Sequence, residues 1–226
     1  MSSNAARCIG VMGGTFDPIH YGHLRTALEL RERLRLDHVR FIPCNDPPTS
    51  KRPLLDAATR LRIVRAAIES EPDFVADSRE IDRGGVSYTA DTLMSLRADF
   101  TDRPLALIMG MDAFLSLPEW RNWTTLVDYA HIVVAHRPGW KAPRDGVLGK
   151  LVADRAADSV GTLHEELSGR VYIAEVTQLE ISSTALRSSI SLGVDPKYLV
   201  PPAVRSIVLE MECYAGTTVR EQEQIG

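Results

Sequence analysis

The chain has 226 residues, 44% of them hydrophobic, and a formal net charge of −4. That length and apolar content suit one sizeable folded domain and exclude disorder, while the slight acidity disfavours a polynucleotide partner. The first seven residues carry no apolar core for export, and no apolar run is long enough to span a bilayer, so a soluble, cytoplasmic protein is expected.

Strand and helix signals alternate from the start. Cys8-Ile9-Gly10-Val11-Met12 reads as a first strand, followed by a helical pattern through Leu24, Ala27, Leu28 and Leu34. Val39–Pro43 is a second strand, closed by the loop Asn45-Asp46-Pro47-Pro48, and Leu61, Val64 and Ile68 mark a helix at three- and four-residue spacing. Leu105–Met109 and His131–Ala135 are continuous apolar runs, as expected of strands buried on both faces. Val171–Val176 is a later strand. Pro202 opens a terminal helix carrying Val204, Ile207, Val208 and Met211, with Gly216 beyond it. Residues 139–170 read only as a polar helical excursion or lid. The alternation implies an α/β fold, a doubly wound parallel sheet of Rossmann-like type, with ligands at the carboxyl ends of its strands and a small helical part from about residue 181. Cys8, Cys44 and Cys213 are odd in number and far apart, and read as reduced thiols.

The densest chemistry lies between the first strand and the first helix, in Gly13-Gly14-Thr15-Phe16-Asp17-Pro18-Ile19-His20-Tyr21-Gly22-His23. A strand-to-helix turn points backbone N–H groups outward at a helix N-terminus, which favours phosphate. Gly13 and Gly14 remove the Cβ atoms that would hold a triphosphate off the backbone. Asp17-Pro18 reads as a turn. His20 and His23, three apart, share one side of a helical turn, where two imidazoles can donate to phosphate oxygens as charge builds during displacement.

This stretch resembles the nucleotidyltransferase superfamily that carries an (H/T)-x-G-H motif, most nearly its bacterial nicotinate-mononucleotide adenylyltransferases, and the likeness extends from about Ile9 to Ala215. The resemblance implies a single nucleotidyltransferase domain over residues 1–226. It implies an ATP site of Gly13, Gly14, Thr15, Phe16, His20, Gly22, His23, Gly110, Asp112, Ile181, Ser183, Thr184 and Arg187, with His20, His23 and Arg187 catalytic.

Further motifs fit the same family. Gly110-Met111-Asp112 matches its G-x-D, with the carboxylate placed for ribose hydroxyls; capping of the next helix is the plainer role for such an Asp. In Gly85-Val86-Ser87-Tyr88-Thr89 a turn feeds a helix with Ser87 or Thr89 as cap, and in the family this S-Y-T segment lines the pyridine pocket. The Trp matching Trp120 stacks on the pyridine ring in the family, whereas Trp123 reads as core. Arg121 reads equally as a partner of the nicotinate carboxylate and as a solvated side chain. Ile181-Ser182-Ser183-Thr184-Ala185-Leu186-Arg187 gives hydroxyls ahead of a helix ending near Gly193, and matches the family's second phosphate motif. Arg137 stands in an R-P-G, and Asn45 and Lys51 flank the prolines of a loop that in the family approaches the mononucleotide phosphate. With Tyr88, Thr89, Asp112 and Trp120 these complete the mononucleotide side. Thr49 departs from the family, which commonly has His there. His38, His131, His136 and His164 read as structural or solvated.

The implied activity is adenylyl transfer from ATP to nicotinate mononucleotide, with Mg2+ carried by the phosphates and water and no protein metal cage. Sibling transferases that use nicotinamide mononucleotide or phosphopantetheine, and a silent nucleotide-binding regulator, are the alternatives. A class I aminoacyl-tRNA synthetase fragment shares the histidine motif but lacks support from a second lysine motif. A homo-oligomer is left open.

Overall fold

The computed structural model describes residues 7–49, 52–137, 139, 143–177 and 179–215. Among them six strands form one parallel sheet: β1 (Ile9–Gly14), β2 (Val39–Pro43), β3 (Phe74–Ala76), β4 (Leu105–Gly110), β5 (His131–His136) and β6 (Val171–Glu175), in the order β3-β2-β1-β4-β5-β6. The helices between them are α1 (Tyr21–Leu34), α2 (Ala57–Ile68), α3 (Arg79–Arg83), α4 (Thr89–Asp99), α5 (Met111–Leu115), α6 (Leu126–Tyr129), α7 (Gly146–Arg155), α8 (Thr162–Glu165), α9 (Ser183–Ser191) and α10 (Pro202–Glu210). The expected doubly wound α/β sheet is the observed one.

Side chains alternate across each strand, and both faces are apolar, which is why the central strands are unbroken hydrophobic runs. Met12 of β1, Ile108 of β4 and Val133 of β5 pack with α1, α2, α9 and α10 on one face. Val11, Leu107 and Val134 pack with α4, α5 and α6 on the other. Gly10 is tightly enclosed, since a Cβ there would meet Leu36, Ile108 and Val39 at 3.0–3.1 Å.

Three details differ from the sequence reading. β3 is a three-residue edge strand, too short to show a period. α10 stops at Glu210, with Met211 as its C-cap; Gly216 lies outside the described residues. The polar excursion resolves into α7 and α8, where His164 is structural: its Nδ1 accepts from the Cys8 amide at 3.2 Å and its Nε2 lies 2.9 Å from the Leu34 carbonyl.

Candidate active site

Strand order reverses between β1 and β4, so the loops leaving their carboxyl ends diverge and leave a crevice. A cleft of about 890 Å³ opens there, at the upper end of the range for small-molecule sites. It gathers Gly13, Gly14, Thr15, Gly22, His23 and Gly110 at one end and Tyr88, Thr89 and Trp120 at the other. A Cβ on Gly13 or Gly110 would meet no protein atom within 4 Å. Since both glycines line the cleft, a side chain at either would occupy ligand space.

The turn between β1 and α1 is built around the two histidines. His20 is the N-cap of α1 and is buried. Its ring stacks on that of His23 at 3.8 Å between centroids, and Phe16 packs edge-on to His23 at 5.2 Å. Gly22 is required by this arrangement, because a Cβ would come within 2.9 Å of His20 Nδ1. The His20 amide donates to His23 Nδ1 at 3.3 Å, so neutral His23 carries its proton on Nε2. His20 Nδ1 has no hydrogen-bond partner although it is buried, an arrangement that costs free energy unless a ligand satisfies it. Burial lowers His20 to about 4, and burial together with its neighbour His20 lowers His23 to about 3. Both rings are therefore neutral N–H donors near pH 7.

Phe16 is a residue that the resemblance places in the ATP site. Its ring is buried in the core against Phe41 and His23. Its φ of 52° is a left-handed conformation that is strained for a bulky residue.

Asp17 and Pro18 form a junction more than a turn. The buried Asp17 carboxylate accepts from the Leu54 amide at 2.7 Å and from the Tyr214 hydroxyl at 2.8 Å. Arg187 Nη1 donates to the Asp17 carbonyl at 2.9 Å, and Ser183 Oγ to the Pro18 carbonyl at 3.0 Å. The second phosphate motif thus sits directly against the first. Ser182 caps α9 by accepting from the Ala185 amide, and Arg187 also reaches Thr184 Oγ1 at 3.3 Å. Ile181 is half-buried and packs on the core.

At the other end of the cleft the expected side-chain cap is absent. Tyr88, not Ser87 or Thr89, is the N-cap of α4 and makes no side-chain capping bond. Ser87 Oγ instead accepts from the Asn45 amide at 2.9 Å, and Asn45 Nδ2 donates to the Gly85 carbonyl at 2.9 Å. Asn45 therefore ties the S-Y-T segment to the end of β2. Trp120 lines the cleft with its inner edge on the core, and Trp123 packs there as expected. The Arg121 guanidinium lies 4.4 Å over the Tyr88 ring. Asp112 is exposed in the first turn of α5, where Gly110 is the N-cap, so it does not cap that helix itself. Arg137 pairs with Glu180, and Thr49 lines the cleft. Lys51 lies outside the described residues.

These motifs have counterparts in known proteins. The cytidylyltransferase-like family model matches residues 11–189. A protein of Methylococcus capsulatus named a probable nicotinate-nucleotide adenylyltransferase is 46% identical over 92% of this chain and 99% of its own length. One of the same name from Aeromonas hydrophila is 43% identical over 91% and 96%. The chain belongs to the nicotinate-nucleotide adenylyltransferase family. Its fold is shared by Plasmodium falciparum nicotinic acid mononucleotide adenylyltransferase complexed with NaAD, with a TM-score of 0.68 at 15% identity over 92% of this chain and 97% of that one.

Two residues of this adenylyltransferase cleft were not legible in sequence. Arg60 is 1% exposed and makes no ion pair among the described residues. It donates instead to the carbonyls of Leu55, Thr15 and Asn45 at 3.1, 2.8 and 3.0 Å and approaches Cys44 Sγ at 3.6 Å. A cation thus stands directly behind the glycine loop, fixing one wall and biasing it toward anions. Glu80, also buried, lines the cleft and accepts from Thr92 Oγ1 at 2.6 Å. Among the described residues no group of three or more His, Cys, Asp or Glu side chains is placed to hold a metal ion, and no helix is long and apolar enough to cross a membrane.

Proposed function

We propose that the protein transfers the adenylyl group of ATP to nicotinate mononucleotide, giving deamido-NAD and pyrophosphate in NAD biosynthesis. The observation that carries this reading is neutral His23, stacked on the buried His20 and lining the same cleft as the aromatic walls Tyr88 and Trp120. One end suits a triphosphate and the other a flat ring.

An oxygen of the acceptor's 5′-phosphate attacks the α-phosphorus of ATP in line. A new P–O bond forms there as the bond from the α-phosphorus to the bridging oxygen of the β-phosphate breaks, and pyrophosphate leaves. The attacking phosphate is already ionised near neutral pH, so no protein nucleophile or base is required. The protein's contribution is position and charge stabilisation. His23 Nε2–H and the His20 ring donate to the α-phosphoryl oxygens, and Arg187 with Ser183 and Thr184 at the start of α9 receives the departing phosphates. Asp112 is assigned to a ribose hydroxyl, and Arg137, Asn45 and Lys51 to the mononucleotide's phosphate side.

Mg2+ would be carried by the triphosphate, with water completing its shell. Bound there, it would neutralise phosphate charge. The chain acts as one nucleotidyltransferase domain whose helical part from about 181 completes the phosphate site. It belongs in the cytoplasm, where the free thiols Cys8, Cys44 and Cys213 stay reduced.

The test is pyrophosphate release by purified protein with magnesium-ATP and, separately, nicotinate mononucleotide, nicotinamide mononucleotide and phosphopantetheine. Release chiefly with the nicotinate compound is expected. Release only with phosphopantetheine would overturn the acceptor, and binding of ATP without release from any acceptor would favour a silent regulator.

A further inference from the structure

We propose that Arg121 determines the preference for a pyridine acid over the corresponding amide, its guanidinium pairing with the carboxylate on the ring. The proposal rests on the reading that a pyridine mononucleotide is the acceptor, and it names the group that would recognise the acceptor's charge.

Three observations converge on it. Arg121 is held by its backbone setting: the Leu117–Glu119 and Trp123–Thr125 turns flank it, and Asn122, in a left-handed conformation at φ 55°, bends the chain just after it. Its guanidinium is laid 4.4 Å over the Tyr88 ring. That contact orients a planar fork of donors before any ligand arrives and lowers the ordering cost of using it. The Arg121 side chain makes no ion pair among the described residues, unlike Arg40, Arg79, Arg170 and Arg205, each joined to a carboxylate. Its charge faces the cleft unneutralised.

The surroundings select the shape of the guest. Trp120 and Tyr88 provide flat faces in the same cleft. α4 starts at Thr89 without a side-chain cap, so its first N–H groups and Arg121 both favour an anion beside Tyr88. Glu119 lines the same end without bonding Arg121; its negative charge makes the cation more necessary for a carboxylate to settle there. An amide is neutral and offers one carbonyl acceptor to a fork built for two oxygens, so it gains far less from the guanidinium. Trp120, Tyr88 and Thr89 would hold either ring, whereas Arg121, the one Lys or Arg side chain lining the cleft among the described residues, attracts the charge that separates the two substrates.

The experiment measures kcat/KM for nicotinate mononucleotide and nicotinamide mononucleotide in the wild-type protein, Arg121→Gln and Arg121→Lys, with thermal unfolding of each. Arg121→Gln is expected to lower kcat/KM for the acid roughly 10- to 100-fold, mostly through KM, and to affect the amide far less, so that the ratio between substrates collapses. Arg121→Lys keeps the charge and loses the fork, and should fall between. A parallel loss with both substrates would mean that Arg121 merely props Tyr88 and would overturn the proposal. An unchanged ratio in an active enzyme would overturn it too, leaving the adenylyltransferase reading intact. Wild-type protein inert toward both mononucleotides would instead overturn that reading, and this assignment with it.

Discussion

At the phosphate end of the cleft the glycines and histidines come from one stretch of chain, Gly13 to His23, packed against each other and tied to Ser183 and Arg187 of α9 before substrate arrives. His20 is stacked on His23, His23 is wedged by Phe16, and Gly22 exists because no Cβ fits beneath the His20 ring. At the pyridine end the walls come from three separate places: the end of β2 at Asn45, the turn into α4 at Ser87–Thr89, and the turn at Trp120–Arg121. They are joined by a few polar contacts, and Arg121 is exposed. Chemistry that does not depend on the acceptor is thus fixed locally and rigidly. Acceptor choice is spread over loops that can change independently of it.

Substitutions should separate the two ends, and the largest effect belongs to the first. His23→Ala removes a donor aimed at the developing charge, and should lower kcat by about 10²- to 10³-fold with little change in thermal unfolding or in KM for the mononucleotide. Near-normal kcat in that variant would take the role from His23. Arg60→Leu comes next. It leaves the carbonyls of Leu55, Thr15 and Asn45 without their buried donor, which should cost about 3 kcal/mol and lower Tm by about 6–12 °C, with kcat/KM falling alongside. An unchanged Tm would show that water or a neighbour replaces the guanidinium. Trp120→Ala should act on one substrate only. Loss of a stacking face is worth about 1–3 kcal/mol, expressed as a roughly tenfold or greater rise in KM for the mononucleotide, with KM for ATP unmoved. A matching rise for ATP would place Trp120 in the core's service and erase the contrast between the ends.

The last prediction concerns acid and leaves turnover near neutral pH unaltered. Burial holds His20 near 4 and His23 near 3, below the 6.5 of a free imidazole. As pH falls below about 6.5 the unfolded chain takes up protons that the folded chain refuses. Stability therefore declines from there until pH passes through the folded values. Denaturant unfolding between pH 7 and 4 should show a shallower decline in His20→Gln than in the wild type, and parallel curves would refute the linkage.

The sheet and the first motif were legible because their signals are local. Apolar runs such as Leu105–Met109 announce a strand covered on both faces, and His20-Tyr21-Gly22-His23 carries its spacing with it. Phe74–Ala76 was missed because three residues cannot display a period. Arg60 was missed because an arginine inside an amphipathic helix reads as solvated, and only the packing of α2 against the glycine loop turns it inward. Glu80 sits in a five-residue helix, too short to show a period and without a side-chain bond at its N-cap. The Asn45 side chain braces the Gly85 turn. That pairing spans forty positions and leaves no trace in either segment alone.

Asp17 gives the molecule a schedule as well as a shape. The residue that braces the first motif waits for Tyr214, 197 positions later, to donate to its carboxylate, and for Arg187 to reach its carbonyl. At about 5–20 residues per second of synthesis, that wait is roughly 10–40 s. Through that interval the nascent chain carries its histidines and glycines with the loop between them lacking those two contacts. Competence at the start of the sequence is conferred by its far end, so a partly made copy would bind nucleotide poorly and leave the ATP pool untouched.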